Sequence, residues 1–167
     1  MAYRNKTYVA FDADSDIRYY RLMTAWKQSD HSDFNFYNAH DVINIWQNST
    51  EETIKRNLRE RMKNSKMFVL LVGEKTKFLY KYVRWEIEQA IKLDLPIIVV
   101  NLNGKRSMDN DKCPVILRDK LALHISFNAK IIQLALERWS ELHYTYTREG
   151  KTGSYYYKDN VYKGLGL

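Results

Sequence analysis

The sequence predicts an α/β fold, a parallel sheet of five strands with helices on both faces. Three observations predict it. Apolar runs alternate with helix-period segments along the 167 residues. Two of the runs, residues 67–72 (MFVLLV) and 97–100 (IIVV), are continuous, as expected for strands covered on both faces. Right-handed crossovers between parallel strands then place the intervening helices on both sides, giving three layers.

Composition bounds the alternatives. With 45% hydrophobic and 28% charged residues the chain is not a disordered one. Two prolines and six glycines exclude collagen-like and low-complexity classes. The single cysteine, Cys113, cannot close an internal disulfide. The opening residues, MAYRNKTYVAFDADSD, lack the apolar core of a signal peptide, and no apolar run approaches the roughly 20 residues of a membrane span. The expected location is the cytoplasm. A net charge of +7 attracts polyanions or a phosphate-bearing small molecule, or serves solubility alone. Its densest cluster, Lys55, Arg56, Arg59, Arg61, Lys63 and Lys66, falls on one expected helix.

Residues 6–11 (KTYVAF) combine aromatic and β-branched residues and predict the first strand. Asp12, Ala13, Asp14 and Ser15 form a polar turn, with Asp14 as the expected N-cap of a helix over 16–28. Residues 34–37 predict the second strand, followed by a loop over 39–48 carrying Ile43, Ile45 and Trp46. Ser49 and Glu52 have capping-box spacing before a helix with Ile54, Leu58 and Met62 at every fourth position. After the third strand, ended by Gly73, a helix is expected over 81–93, stopped by Pro96. Residues 97–100 and 121–125 predict the last two strands, separated by a polar loop, and Asn128 can cap a final helix reaching about residue 143. The tail, 144–167, holds six of the 13 tyrosines. It is expected to form a β-hairpin, 144–147 against 154–157, packed on the domain of residues 1–143. Its aromatic and basic residues could instead stack nucleic-acid bases.

Several chemistries lack their residues. There is no glycine-rich dinucleotide turn after the first strand, no P-loop and no nucleophile elbow. The four histidines lack metal-ligand spacing, so no metal site is expected. Asp12 and Asp14 after the first strand suggest a phospho-receiver, but the third strand ends in Gly73-Glu74 rather than in an acceptor aspartate. In the helix over 81–93, Val83, Ile87, Ala90 and Ile91 make one apolar stripe, and Glu86 lies at its edge. A carboxyl there is partly desolvated and its pKa rises, unless it simply pairs with a surface cation.

Residues 8–16 (YVAFDADSD), Trp26, and above all Tyr82-Val83-Arg84-Trp85-Glu86-Ile87 after MFVLLVGEKT resemble TIR-like domains, best those of the bacterial Thoeris antiphage system. The resemblance covers residues 5–143. It implies a flavodoxin-like fold with five parallel strands and an NAD glycohydrolase and ADP-ribosyl cyclase activity. NAD would be the substrate, with no resident cofactor, and the product a cyclic ADP-ribose isomer that signals to a separate effector protein. By motif the catalytic glutamate is Glu86. The loop over 39–48 would mediate self-association and gate the site, with Trp46 at a contact. Phe11, Asp12, Asp14, Trp46, Arg84 and Trp85 are the expected substrate-binding residues, although Phe11 and Trp85 also suit the core. The alternatives are a non-enzymatic TIR-type adaptor, which needs no carboxylate at that position, a receiver-like phosphoacceptor, and a nucleic-acid binder.

Overall fold

Alternation along each strand sorts the side chains onto two faces, and both faces are covered. In the computed structural model, which describes residues 5–30, 34–38 and 48–167, strand β1 (Asn5–Ala10) is followed by helix α1 (Ala13–Asp30), β2 (Phe34–Asn38), α2 (Glu51–Lys63) and β3 (Met67–Val72). A 3-10 turn (Thr76–Phe78) leads to α3 (Val83–Lys92) and β4 (Ile97–Asn101). A second 3-10 turn (Val115–Leu117) precedes β5 (Ala122–Ser126), α4 (Ala129–Arg148), β6 (Ser154–Tyr156) and α5 (Asp159–Gly164). The strand order is β2-β1-β3-β4-β5-β6, and every neighbouring pair is parallel. The five expected strands are present in a flavodoxin-like arrangement, and a short sixth strand extends the sheet beside β5.

Every residue of β3 is buried. Phe68, Leu70 and Val72 pack with Ile54, Leu58 and Met62 of α2 and with Val83, Ile87 and Ala90 of α3. Met67, Val69 and Leu71 face the other way, against Met23 of α1 and Ile131, Ala135 and Trp139 of α4. Burying a side chain of this size contributes about 1.5–3 kcal/mol, which makes the two continuous runs the main stabilising elements.

Four local expectations change. The cap of α1 is Asp12, not Asp14: the Asp14 N–H donates to Asp12 Oδ1 (3.1 Å), because the helix already starts at Ala13. The cap of α2 is Thr50, whose hydroxyl accepts from the Thr53 N–H (3.2 Å), displacing the Ser49–Glu52 box by one residue. Helix α3 begins at Val83, two residues late, with no side-chain cap. The hairpin expected in the tail is replaced by a helix and a parallel strand. Ile132, Leu136, Trp139 and His143 continue one buried stripe, so α4 runs on through Tyr144–Thr147 to Arg148. Gly150 and Gly153, both at positive φ, then turn the chain so that β6 lies parallel to β5. The tail tyrosines form an aromatic cluster: Tyr146 stacks on Tyr155 at 4.7 Å, and both contact Trp139.

Gly73, at the end of β3, is favoured by close approach rather than by backbone angle, since a side chain there would have to displace the Asp16 carboxylate. A Cβ there would lie 2.3 Å from Asp16 Oδ2 on α1. Overpacking of this kind costs about 1–3 kcal/mol. Gly73→Ala should therefore lower stability by that amount in urea unfolding, and Asp16→Ala in the same chain should recover most of the loss. Full stability in Gly73→Ala alone would show that α1 stands further from β3.

Candidate active site

The reversal of strand order between β1 and β3 opens a cleft at the carboxyl edge of the sheet, where parallel α/β sheets take their ligands. A cavity of about 510 Å³ lies there. One wall is the turn after β1, with Phe11, Asp12 and Asp14; the other is the segment entering α3, with Phe78, Tyr80, Lys81 and Tyr82. Glu86, in the first turn of α3, completes the lining.

Glu86 is only 2% exposed. The stripe of Val83, Ile87 and Ala90 holds α3 on the sheet, and Glu86 is drawn in beside it rather than left at the core margin. The covering group is Tyr8, fully buried on β1, whose hydroxyl donates to Glu86 Oε2. Tyr8 is itself held by stacking on Phe68, 5.6 Å between ring centroids. Burial pushes the Glu86 carboxyl up to about 8, against the opposing pull of the Tyr8 hydrogen bond. The Tyr8 phenol is also raised well above its ordinary value, by burial first and by the neighbouring carboxylate second. Tyr8 is the donor of this pair and Glu86 Oε2 the acceptor.

The structure gathers Glu86, Phe11, Asp12 and Asp14 around one cavity. Phe11 serves both core and cavity, since it also stacks on Tyr20 at 5.2 Å. Arg84 and Trp85 are placed elsewhere, which corrects the expectation that they share this site. Successive helical residues point about 100° apart, so neighbours of Glu86 in sequence need not share its surroundings. Arg84 is exposed and pairs with Glu88 at 3.3 Å. Trp85 turns toward α2, where Lys55 and Arg59 approach its ring at 5.4 and 5.5 Å. Trp46 and the loop around it, residues 39–47, lie outside the described residues. Among the described residues no group of three or more His, Cys, Asp or Glu side chains could hold a metal ion. Glu74, which stands where a receiver-like site would need an acceptor aspartate, pairs with Lys112.

The sequence assigns no site role to Tyr8, Phe78, Tyr80, Lys81 or Tyr82, although Tyr8 and Tyr82 belong to the motifs above. The signal was present as an alternation of aromatics in Phe78-Leu79-Tyr80-Lys81-Tyr82, and as a tyrosine at an inward position of β1.

The raised carboxyl makes stability depend on pH. Folding raises the Glu86 pKa from 4.5 to about 8, so the folded state binds the extra proton between these values. Its contribution is complete below the unfolded pKa and is lost as pH rises through the folded one. Glutamine does not titrate. The melting temperature of Glu86→Gln should therefore gain on that of the original chain between pH 5 and pH 9. A difference that stays constant over this range would show that the carboxyl ionises as freely in the fold as in the unfolded chain.

Among the described residues no helix is long and apolar enough to cross a membrane. A family model described as the TIR-like domain of the Thoeris protein ThsB matches residues 8–107, from Tyr8 through Glu86 to the loop after β4. With more than half of its length matched, and with the sheet and cleft described above, the chain belongs to the TIR-like domain family of Thoeris antiphage defence.

Proposed function

We propose that the protein cleaves the nicotinamide–ribose bond of NAD and closes the ADP-ribosyl product into a cyclic isomer, which signals to a separate effector protein in antiphage defence. The observation that carries this reading is the burial of Glu86 on the wall of an aromatic-lined cavity. Heterolysis leaves the bonding electron pair on nicotinamide, which departs neutral and needs no general acid. The ribose is left with oxocarbenium character, which a carboxylate in a site of low dielectric stabilises strongly. Water capture of that cation gives ADP-ribose and a proton. Capture by a hydroxyl or ring nitrogen of the same molecule gives the cyclic isomer and a proton. A dinucleotide seated against Phe11, Phe78, Tyr80 and Tyr82 favours the second course by displacing water from the cavity. In this reading Asp12 and Asp14, on the cavity wall, accept from ribose hydroxyls, and Lys81 meets the pyrophosphate.

Chromatography of the products after incubation with NAD tests the reading, with Glu86→Gln alongside. The variant should lose on the order of 10²–10³ in nicotinamide release, the usual effect of removing one electrostatic stabiliser. The working form is the ionised carboxylate, so kcat/KM should rise with pH and level off above about 8. A Glu86→Gln protein within about threefold of the original rate would remove Glu86 from the chemistry. A chain that releases no nicotinamide with effector and infected-cell extract present would be an adaptor.

Self-association through residues 39–48 belongs to the same reading. Ile43, Ile45 and Trp46, with Val42 beside them, form a largely apolar stretch between the polar pairs His40-Asp41 and Gln47-Asn48, as a contact between copies requires. Trp46→Ala should reduce both the sedimentation coefficient of the active species and its turnover while leaving the melting temperature unchanged. If neither sedimentation nor turnover moves, the loop is a connector only.

A further inference from the structure

We propose that Tyr8 is the positioning residue of this site: its hydroxyl holds Glu86 Oε2, turns Oε1 toward the cavity, and acts on the substrate only through that carboxyl. The inference rests on the reading of Glu86 as the reacting carboxylate. Tyr8 is fully buried and does not line the cavity, so it cannot touch a ligand. Its ring is fixed from below by Phe68, and its backbone by the β1–β3 pairing, in which Tyr8 stands opposite Phe68. The hydroxyl is thereby placed by two elements of the rigid sheet and not by a loop. The Tyr8 bond engages Glu86 Oε2, while the Glu86 side chain also lines the cavity. A glutamate has three side-chain torsions, and a carboxyl with no second contact would sample several of them. Anchoring one oxygen selects the orientation in which the other can face a ribose, and misplacement by about 1 Å can cost on the order of 10² in rate.

The same bond favours the ionised form of Glu86. The other charged and titratable groups around the pair come from each element packed on it. They are Asp12 and Asp14 after β1, Lys81, Tyr80 and Tyr82 before α3, and Arg61 of α2, which pulls the Tyr8 phenol down.

Tyr8→Phe keeps the ring and removes only the donor. It should lower kcat for NAD by about 10-fold or more with KM within about threefold, since the lost contact bears on the reacting centre and not on binding. The alkaline rise of kcat/KM should move upward by about one pH unit, a change that a merely structural role would not produce. Carbon-13 NMR of the Glu86 carboxyl, assigned by its loss in Glu86→Gln, should show the same upward move without substrate. If Tyr8→Phe does not fold, 3-fluorotyrosine at position 8, a stronger donor of the same shape, should move both readouts downward. A folded Tyr8→Phe chain with unchanged kcat and an unchanged pH profile would overturn the inference and leave the NAD reading standing. Absence of NAD cleavage in the original chain would overturn that reading and, with it, the role in positioning. The NMR shift would then report only a hydrogen bond.

Discussion

The winding of the sheet reverses once, and the site follows from that reversal. From β1 the chain steps out to β2, then crosses back over β1 to continue through β3, β4 and β5. Right-handed connections turn this change of direction into a change of face. Helix α1 leaves the carboxyl end of β1 toward the layer of Met23 and Trp139, while α3 leaves β3 toward the layer of Leu58 and Ile87. The two exits diverge, and the gap between them cannot be filled by either connection. Phe11, Asp12 and Asp14 on one side and Phe78 to Tyr82 on the other are the flanks of that gap. Gly73 keeps the second exit close to α1, since any side chain there would strike Asp16.

Glu86 sits where this geometry is least favourable to a charge. Moving a carboxyl from water into the layer between β1 and α3 costs on the order of a few kcal/mol once it is ionised. The hydrophobic layers around it, above all β3 and β4, supply the stability that offsets this. A surface glutamate paired with a lysine would cost nothing, but would meet a developing cation in high dielectric, where its pull is weak. Burial raises the energy of the ionised ground state, and a cation arriving in the cavity recovers part of that energy. On the proposed reading, stability and reactivity therefore draw on the same carboxyl in opposite directions.

How far the sequence reveals this depends on the range of the interaction. The strands at Met67–Val72 and Ile97–Asn101 are legible because a continuous apolar run permits few other placements. The Glu86 motif is legible because its residues are adjacent in the chain, although adjacency also misleads: Arg84 and Trp85 flank Glu86 in sequence and diverge from it around the helix. The depth of Glu86 is not legible, since it depends on Tyr8, 78 residues away, and no local pattern records a contact at that separation. The tail was misread for a related reason. Tyrosine, lysine and glycine after residue 143 suit a hairpin, but the stripe ending in Trp139 and His143 holds the helix for another turn and overrides them.

The short strand β6 has a consequence for how copies of the chain can meet. In a sheet of five strands, β5 would present an open row of backbone donors and acceptors, the kind of edge through which sheets of separate molecules merge. Here Ser154–Tyr156 occupies that row, and Tyr162 secures the segment behind it by accepting from the Ser126 N–H at 3.3 Å. The new border is three residues long and is carried by a segment rich in exposed side chains. Growth of a continuous sheet from molecule to molecule is thereby blunted on this side. Any association on this side must then use side-chain surfaces, whose shape and charge specify a partner, rather than backbone hydrogen bonding, which accepts almost any strand; the opposite edge of the sheet is β2.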